Sequence, residues 1–187
     1  VLIRKIGDTA PSGQILVPRE SNFRGIIREV LEPGIQYLHP YVYNWQIVDA
    51  VTIPPGNVGV LTRKVGITPS EGEILVDRSS NFQGIIRQVV EPGMYYINPF
   101  EFDVQITPAI AIPDGFVGVM IAKTGNPAPD DNFLVDDGFR GVRKKFLKPG
   151  LYYINPYEFD IVQVETRKQK YEMTYIKNEG DTEFGDD

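Results

Sequence analysis

Apolar and polar side chains alternate along one stretch of the chain: Phe100, Phe102, Val104 and Ile106 are separated by Glu101, Asp103 and Gln105. A period of two marks a β-strand with one buried face. The pattern predicts that Phe102, Val104 and Ile106 face a core while Asp103 and Gln105 face water. Tyr43, Trp45 and Ile47, which follow Tyr41 in the same rhythm, are expected to face inward too. Tyr157, Phe159 and Ile161 repeat the pattern once more. There Gln163 aligns with Gln105 only if one residue is inserted after Pro156. An insertion in an alternating strand flips every later side chain, so a β-bulge or a change of sheet is expected near Ile161-Val162. Further strands are expected over Val58 to Lys64, Glu73 to Val76, Gly84 to Val90 and Met94 to Ile97. No stretch has a convincing helical period. One short helical turn, around Phe23-Arg24-Gly25 and its copies, is the only helix expected.

Between these strands stand turn signals, and they recur. Val90-Glu91-Pro92-Gly93-Met94-Tyr95-Tyr96-Ile97-Asn98-Pro99-Phe100 has a counterpart at Leu31-Glu32-Pro33-Gly34 onward and another at Leu147-Lys148-Pro149-Gly150 onward. Each Pro-Gly suits a type II turn, so Pro33, Gly34, Pro92, Gly93, Pro149 and Gly150 are read as hairpin turns. A second motif, Ile53-Pro54-Pro55-Gly56-Asn57-Val58-Gly59-Val60, recurs as Ile112-Pro113-Asp114-Gly115-Phe116-Val117-Gly118-Val119, and Pro54, Gly56, Pro113 and Gly115 are its turn residues. Gly7, Gly66 and Gly125 are spaced 59 residues apart, as are Leu16, Leu75 and Leu134.

Such self-similarity predicts a repeat architecture. The expected class is all-β: three tandem small antiparallel β repeat units with little helix. They span residues 1–52, 53–111 and 112–170, followed by an acidic tail at 171–187 expected to be poorly ordered. Residue Val1 is the last position of the Pro-x-Gly-x-Val-Gly-Val motif. The rest of that motif is expected upstream, and the chain reads as a piece of a longer protein. A unit of this size is near the lower limit for independent folding, so neighbouring units are expected to bury surface against each other.

Composition narrows the function classes. A net charge of −6 and a pI near 4.9 disfavour nucleic acid as a partner. The absence of cysteine excludes disulfides and thiolate metal sites. No apolar run approaches the length needed to span a bilayer.

The chemistry-bearing residues are few. His39 is the sole histidine, and its counterparts are Asn98 and Asn155, each before proline. Interchange of His and Asn there points to a hydrogen-bonding site at a turn or strand end rather than to catalysis or a metal. Asp130, Asp131, Asp136 and Asp137 form an acidic cluster without the ligand spacing of a calcium loop, and read as solvated turn carboxylates. Tyr37, Tyr95, Tyr96, Tyr152 and Tyr153 are candidates for a ligand groove, though aromatics in strand alternation more often pack a core. Arg28 and Arg87 are candidate partners of Glu32 and Glu91, but Lys148 breaks that pairing in the third copy. No enzyme constellation, cofactor site or metal site emerges.

The order Ile-Pro-Pro-Gly-x-Val-Gly-Val, then Val-Glu-Pro-Gly-x-Tyr-Tyr-x-x-Pro-Phe, resembles the opening of an SPFH domain, the stomatin, prohibitin and flotillin (band 7) family. The third copy is similar for longest, through Val162-Gln163-Val164-Glu165-Thr166-Arg167. The likeness covers three copies of the opening subdomain and not a complete domain. Ile67 to Arg87 is inserted where the family has a short link, the triplication is unusual, and the long helical part is missing. A weaker likeness is to the stacked repeats of the major vault protein. The resemblance implies a non-enzymatic, membrane-associated scaffold without cofactor. Such a protein forms homo-oligomeric rings or cages, reaches the membrane through segments outside this chain, and organises membrane proteins. The alternatives are a vault-like shell and a ligand- or carbohydrate-binding β-repeat module.

Overall fold

A computed structural model describes residues 1–11, 14–70, 72–128 and 133–167. The tail at 171–187, and Asp130 and Asp131 of the acidic cluster, lie outside the described residues. The fold is all-β, with no helix among the described residues. The first sheet uses β1 (Leu2–Arg4), β2 (Asp8–Thr9), β3 (Leu16–Val17), β4 (Phe23–Ile27) and β5 (Tyr43–Trp45). Residues 51–108 supply β6 (Val51–Ile53), β7 (Asn57–Arg63), β8 (Leu75–Val76), β9 (Gly84–Ile86), β10 (Gly93–Tyr95) and β11 (Phe102–Pro108). Residues 110–165 supply β12 (Ile110–Ile112), β13 (Phe116–Ala122), β14 (Leu134–Val135), β15 (Gly141–Leu147), β16 (Gly150–Tyr152) and β17 (Phe159–Glu165).

One strand order underlies all three larger sheets. The second runs β11-β7-β9-β8, the third β17-β13-β15-β14, and the first places β5, β1, β4 and β3 in the same sequence, with β2 also on β4. The long strands pair antiparallel, as expected. The two-residue strands do not: β2 and β3 lie parallel to β4, β8 to β9 and β14 to β15. A parallel pair ordinarily needs a long crossover. A two-residue strand spans only about 7 Å, so a short loop suffices to bring the chain back. The segment at Phe23-Arg24-Gly25, expected as a helical turn, is part of β4.

The two kinds of Pro-Gly behave differently. Pro54-Pro55-Gly56 and Pro113-Asp114-Gly115 make tight turns. The amides of Asn57 and Phe116 donate to the carbonyls of Pro54 and Pro113, both at 3.2 Å. Gly56 and Gly115, at φ 77° and 87°, have the type II value. Pro33-Gly34, Pro92-Gly93 and Pro149-Gly150 are not hairpin turns. After Pro92 the chain leaves the main sheet, and β10 pairs with β6, not with the preceding β9. Likewise β16 pairs with β12. Their glycines sit at φ 147° to 157°, well past the type II value, and the bend carries the strand to a separate ladder.

Gly66 shows why the evenly spaced glycines are needed. Its φ is +140°, and an added Cβ would lie 2.3 Å from the carbonyl oxygen of Asn81, which accepts the amide of Ile67. Gly7 and Gly125 meet the carbonyls of Asn22 and Gly138 in the same way.

The alternation holds in β11 near its start: Phe102 and Val104 are half-buried, Asp103 and Gln105 exposed, but Ile106 is exposed as well. The expectation for the first copy fails further. Tyr43 is half-buried, while Trp45 is 55% and Ile47 89% exposed. The bulge expected at Ile161-Val162 is also absent. The β13–β17 ladder is unbroken from Phe116↔Glu165 to Ala122↔Phe159, as β7–β11 is from Asn57↔Pro108 to Arg63↔Phe102. Val162, not Gln163, therefore takes the place of Gln105. The irregularity sits instead between β13 and β15, at Val119/Ile121.

The best-filled core belongs to residues 51–108: Ile53, Leu61, Val76, Ile86 and Val90, with Ile97, Phe102 and Val104 packed against it. The first sheet has a smaller core of Leu2, Val17 and Ile27.

Candidate functional site

The segment joining β10 to β11 begins Asn98-Pro99-Phe100-Glu101. Proline fixes the backbone after Asn98, and the amides of Glu101 and Phe102 both donate to the Asn98 carbonyl at 3.0 Å. The turn so formed aims the Asn98 side chain at the first sheet. Its Nδ2 donates to the carbonyls of Ile27 (3.1 Å) and Arg28 (3.0 Å), and its Oδ1 accepts the Phe100 amide at 3.0 Å. Asn155 repeats the arrangement on the second sheet. Nδ2 donates to Ile86 (3.0 Å) and Arg87 (3.1 Å), and Oδ1 accepts from Tyr157 at 3.0 Å. Both asparagines are buried. An amide is suited to the position because it carries two donors and an acceptor on one short side chain. A buried polar group must be satisfied, and here both ends are.

A carboxylate reinforces each contact. Glu101, buried, lies 3.8 Å from Arg28 of the first sheet and 3.8 Å from its own Arg63. Glu158 meets Arg87 of the second sheet at 2.6 Å. Tyr157 adds a hydroxyl contact to Gln105 at 2.6 Å. Together these form a clasp by which each sheet grips the one before it. The earlier expectation that Arg28 and Arg87 pair with Glu32 and Glu91 is replaced: the partners lie in the next sheet. The recurrence of Asn-Pro-x-Glu at Asn98 and Asn155 was the available signal. His39 has the turn without the clasp. Its carbonyl accepts from Val42 and Tyr43 at 3.0 Å, but its ring is exposed, and Val42 stands where Glu101 and Glu158 do.

Behind the clasp, an arginine braces each sheet. Arg63 is buried, lies over the Phe102 ring at 5.2 Å, and donates to the carbonyls of Arg78 (2.7 Å) and Ser80. Burial pulls its guanidinium below the ordinary value, and Glu101 opposes that. Arg4 lies over Tyr43 in the first sheet. In the third, Ala122 replaces the arginine and Arg143 of β15 reaches Phe159 instead. Arg143 also pairs with Asp137 at 2.9 Å, and Lys144 with Asp136 at 2.7 Å. Both described carboxylates of the acidic cluster thus hold cations from their own sheet.

The candidate tyrosines do not converge. Tyr95 and Tyr152 donate their hydroxyls to the carbonyls of Glu91 and Lys148, both at 3.0 Å, and brace the Pro-Gly bends. Tyr37 is 96% exposed. Only Tyr96 borders a sizeable cleft, a groove of about 500 Å³ on the first sheet, lined by Leu2, Leu31, Leu38, Trp45 and Ile47 among others. No grouping of His, Asp or Glu able to hold a metal is found among the described residues.

Comparison of the chain with protein-family models, with curated proteins and with solved structures gives no match.

Proposed function

We propose that this chain is a non-enzymatic scaffold segment of an SPFH-like, membrane-associated protein whose copies assemble side by side into a ring or cage. The clasp is the observation that carries the reading. Asn98 with Glu101, and Asn155 with Glu158, fix each sheet to its predecessor through paired carbonyl contacts and an arginine. Three tandem units held this way make a stiff arm, the part a scaffold needs to set distances between partners. Membrane attachment belongs to segments outside this chain. No helix among the described residues is long and apolar enough to cross a membrane. The ligand-binding alternative is the weaker one, because the hydroxyls of Tyr95, Tyr152 and Tyr157 are engaged within the fold.

Membrane flotation and negative-stain imaging of the native gene product test the reading. The expected result is co-flotation with lipid and closed rings or cages of one diameter. A native product that stays monomeric in its membrane and in mild detergent overturns it.

A further inference from the structure

The groove on the first sheet has two counterparts in the same molecule, and both are covered. Leu2, Leu31, Leu38 and Trp45 of the groove correspond, 59 residues on, to Leu61, Val90, Ile97 and Val104. Those four belong to the core closed by Ile53, which is 2% exposed. Ile53 is delivered by β6, whose backbone pairs with β10 in the register Gly93↔Ile53, Met94↔Thr52, Tyr95↔Val51. The third sheet is closed in the same way by Ile112 of β12, paired as Ile112↔Gly150. The matching stretch of the first sheet, Gly34 to Gln36, lies in no strand. Around it Ile35 is 85%, Trp45 55% and Ile47 89% exposed.

We propose that this groove is a strand-docking site. Its occupant is an extended segment of another polypeptide with the chemistry of Val51-Thr52-Ile53-Pro54-Pro55-Gly56: a β-branched residue, a spacer, then isoleucine leading into a proline turn. The segment adds antiparallel along Gly34 to Gln36, with the isoleucine opposite Gly34 and the β-branched residue opposite Gln36. Main-chain pairing holds it, and the apolar pocket between Leu2, Leu31 and Leu38 selects isoleucine. This is recognition by strand addition, with affinity from the backbone and specificity from alternate side chains. Proline after the isoleucine ends the strand, so the added segment does not offer a further edge. The site is a property of the first sheet and holds whether or not the chain belongs to a membrane scaffold.

Trp45 is the single tryptophan and lines the groove, so its emission reports on occupancy. The probe is the synthetic, end-blocked peptide Ala-Val-Thr-Ile-Pro-Pro-Gly, titrated into the chain. The expected result is a saturable blue shift of Trp45 emission with half-saturation below about 1 mM, and slowed amide exchange at Ile35 and Gln36. A peptide with aspartate in place of isoleucine is expected to give neither. The chain variant Ile47→Glu, at a site so exposed that folding is insensitive to it, is expected to weaken binding about tenfold. The proposal is overturned by no shift at several millimolar peptide, or by an equal shift with the aspartate peptide. It is also overturned by a concentration-dependent shift of the chain alone with dimer in sedimentation, which would make a second copy the occupant.

Discussion

Two regions of this molecule have the same apolar lining and opposite fates. Around Ile53, the side chains of Leu61, Val90, Ile97 and Val104 close into a core. Their counterparts Leu2, Leu31, Leu38 and Trp45 line an open groove. The difference is one strand of three residues, β6, laid across the first set. Burial is thus decided by what lies over a residue as much as by the residue itself. A period-two pattern reports which side of a strand is apolar, and stays silent about whether a neighbour covers that side.

The comparison can be broken most directly at its centre. Replacing Ile53 with alanine removes the side chain that closes the covered core and leaves a cavity beside Gly59 and Val90. A loss of about 2–5 kcal/mol in unfolding free energy is expected. Ile47→Ala, at the edge of the open groove, is expected to change stability by no more than about 0.5 kcal/mol. Urea denaturation of the two variants measures both. Equal losses would show that the two regions are covered alike in solution.

The clasp gives a second, smaller contrast. Asn98→Leu keeps the volume near the native one but leaves the Phe100 amide and two carbonyls of the first sheet without their partner. A loss of about 1–3 kcal/mol is expected. His39→Leu, at the matching exposed turn, is expected to leave stability within about 0.5 kcal/mol. Small-angle scattering adds a second reading. Loosening between the first and second sheets should lengthen the scattering profile of Asn98→Leu while that of His39→Leu stays native.

The β class and the strands were legible because alternation, Pro-Gly signals and even spacing are all local. The interchange of His39, Asn98 and Asn155 before proline marked a hydrogen-bonding position for the same reason. Partnership was not legible. Pro92-Gly93 reads as a hairpin because local chemistry permits one, yet β10 takes β6 as its partner, and that choice is made by Ile53 finding its pocket. Arg28 was matched to Glu32, four residues along, when its partner Glu101 lies in the next sheet. The alignment of Gln105 with Gln163 rested on residue identity, whereas the unbroken ladder to β13 sets Val162 opposite Val119, as Gln105 is opposite Val60. A pairing between distant segments leaves its trace only as recurrence, here Asn-Pro-x-Glu.

The smallest effect expected lies in the outer half of the clasp. Arg87 and Glu158 meet at 2.6 Å, but the Arg87 side chain is 48% exposed. Water and salt screen such a pair, and ordering two long side chains opposes it, so its contribution is about 0.2–1 kcal/mol. Glu101 is different. Its carboxylate is buried between Arg28 and Arg63, at longer distances but with less water around it. Removing the acidic partner there leaves the buried Arg63 charge compensated only by the carbonyls of Arg78 and Ser80. Glu101→Gln should therefore destabilise more than Glu158→Gln although the Glu158 contact is the shorter one. The loss from Glu158→Gln should also shrink when the salt concentration is raised to about 1 M, where the screening length falls to about 3 Å, while the loss from Glu101→Gln should persist. Denaturation of both variants at low and high salt decides this. A larger, salt-insensitive loss at Glu158 would show that contact distance outweighs burial in this clasp.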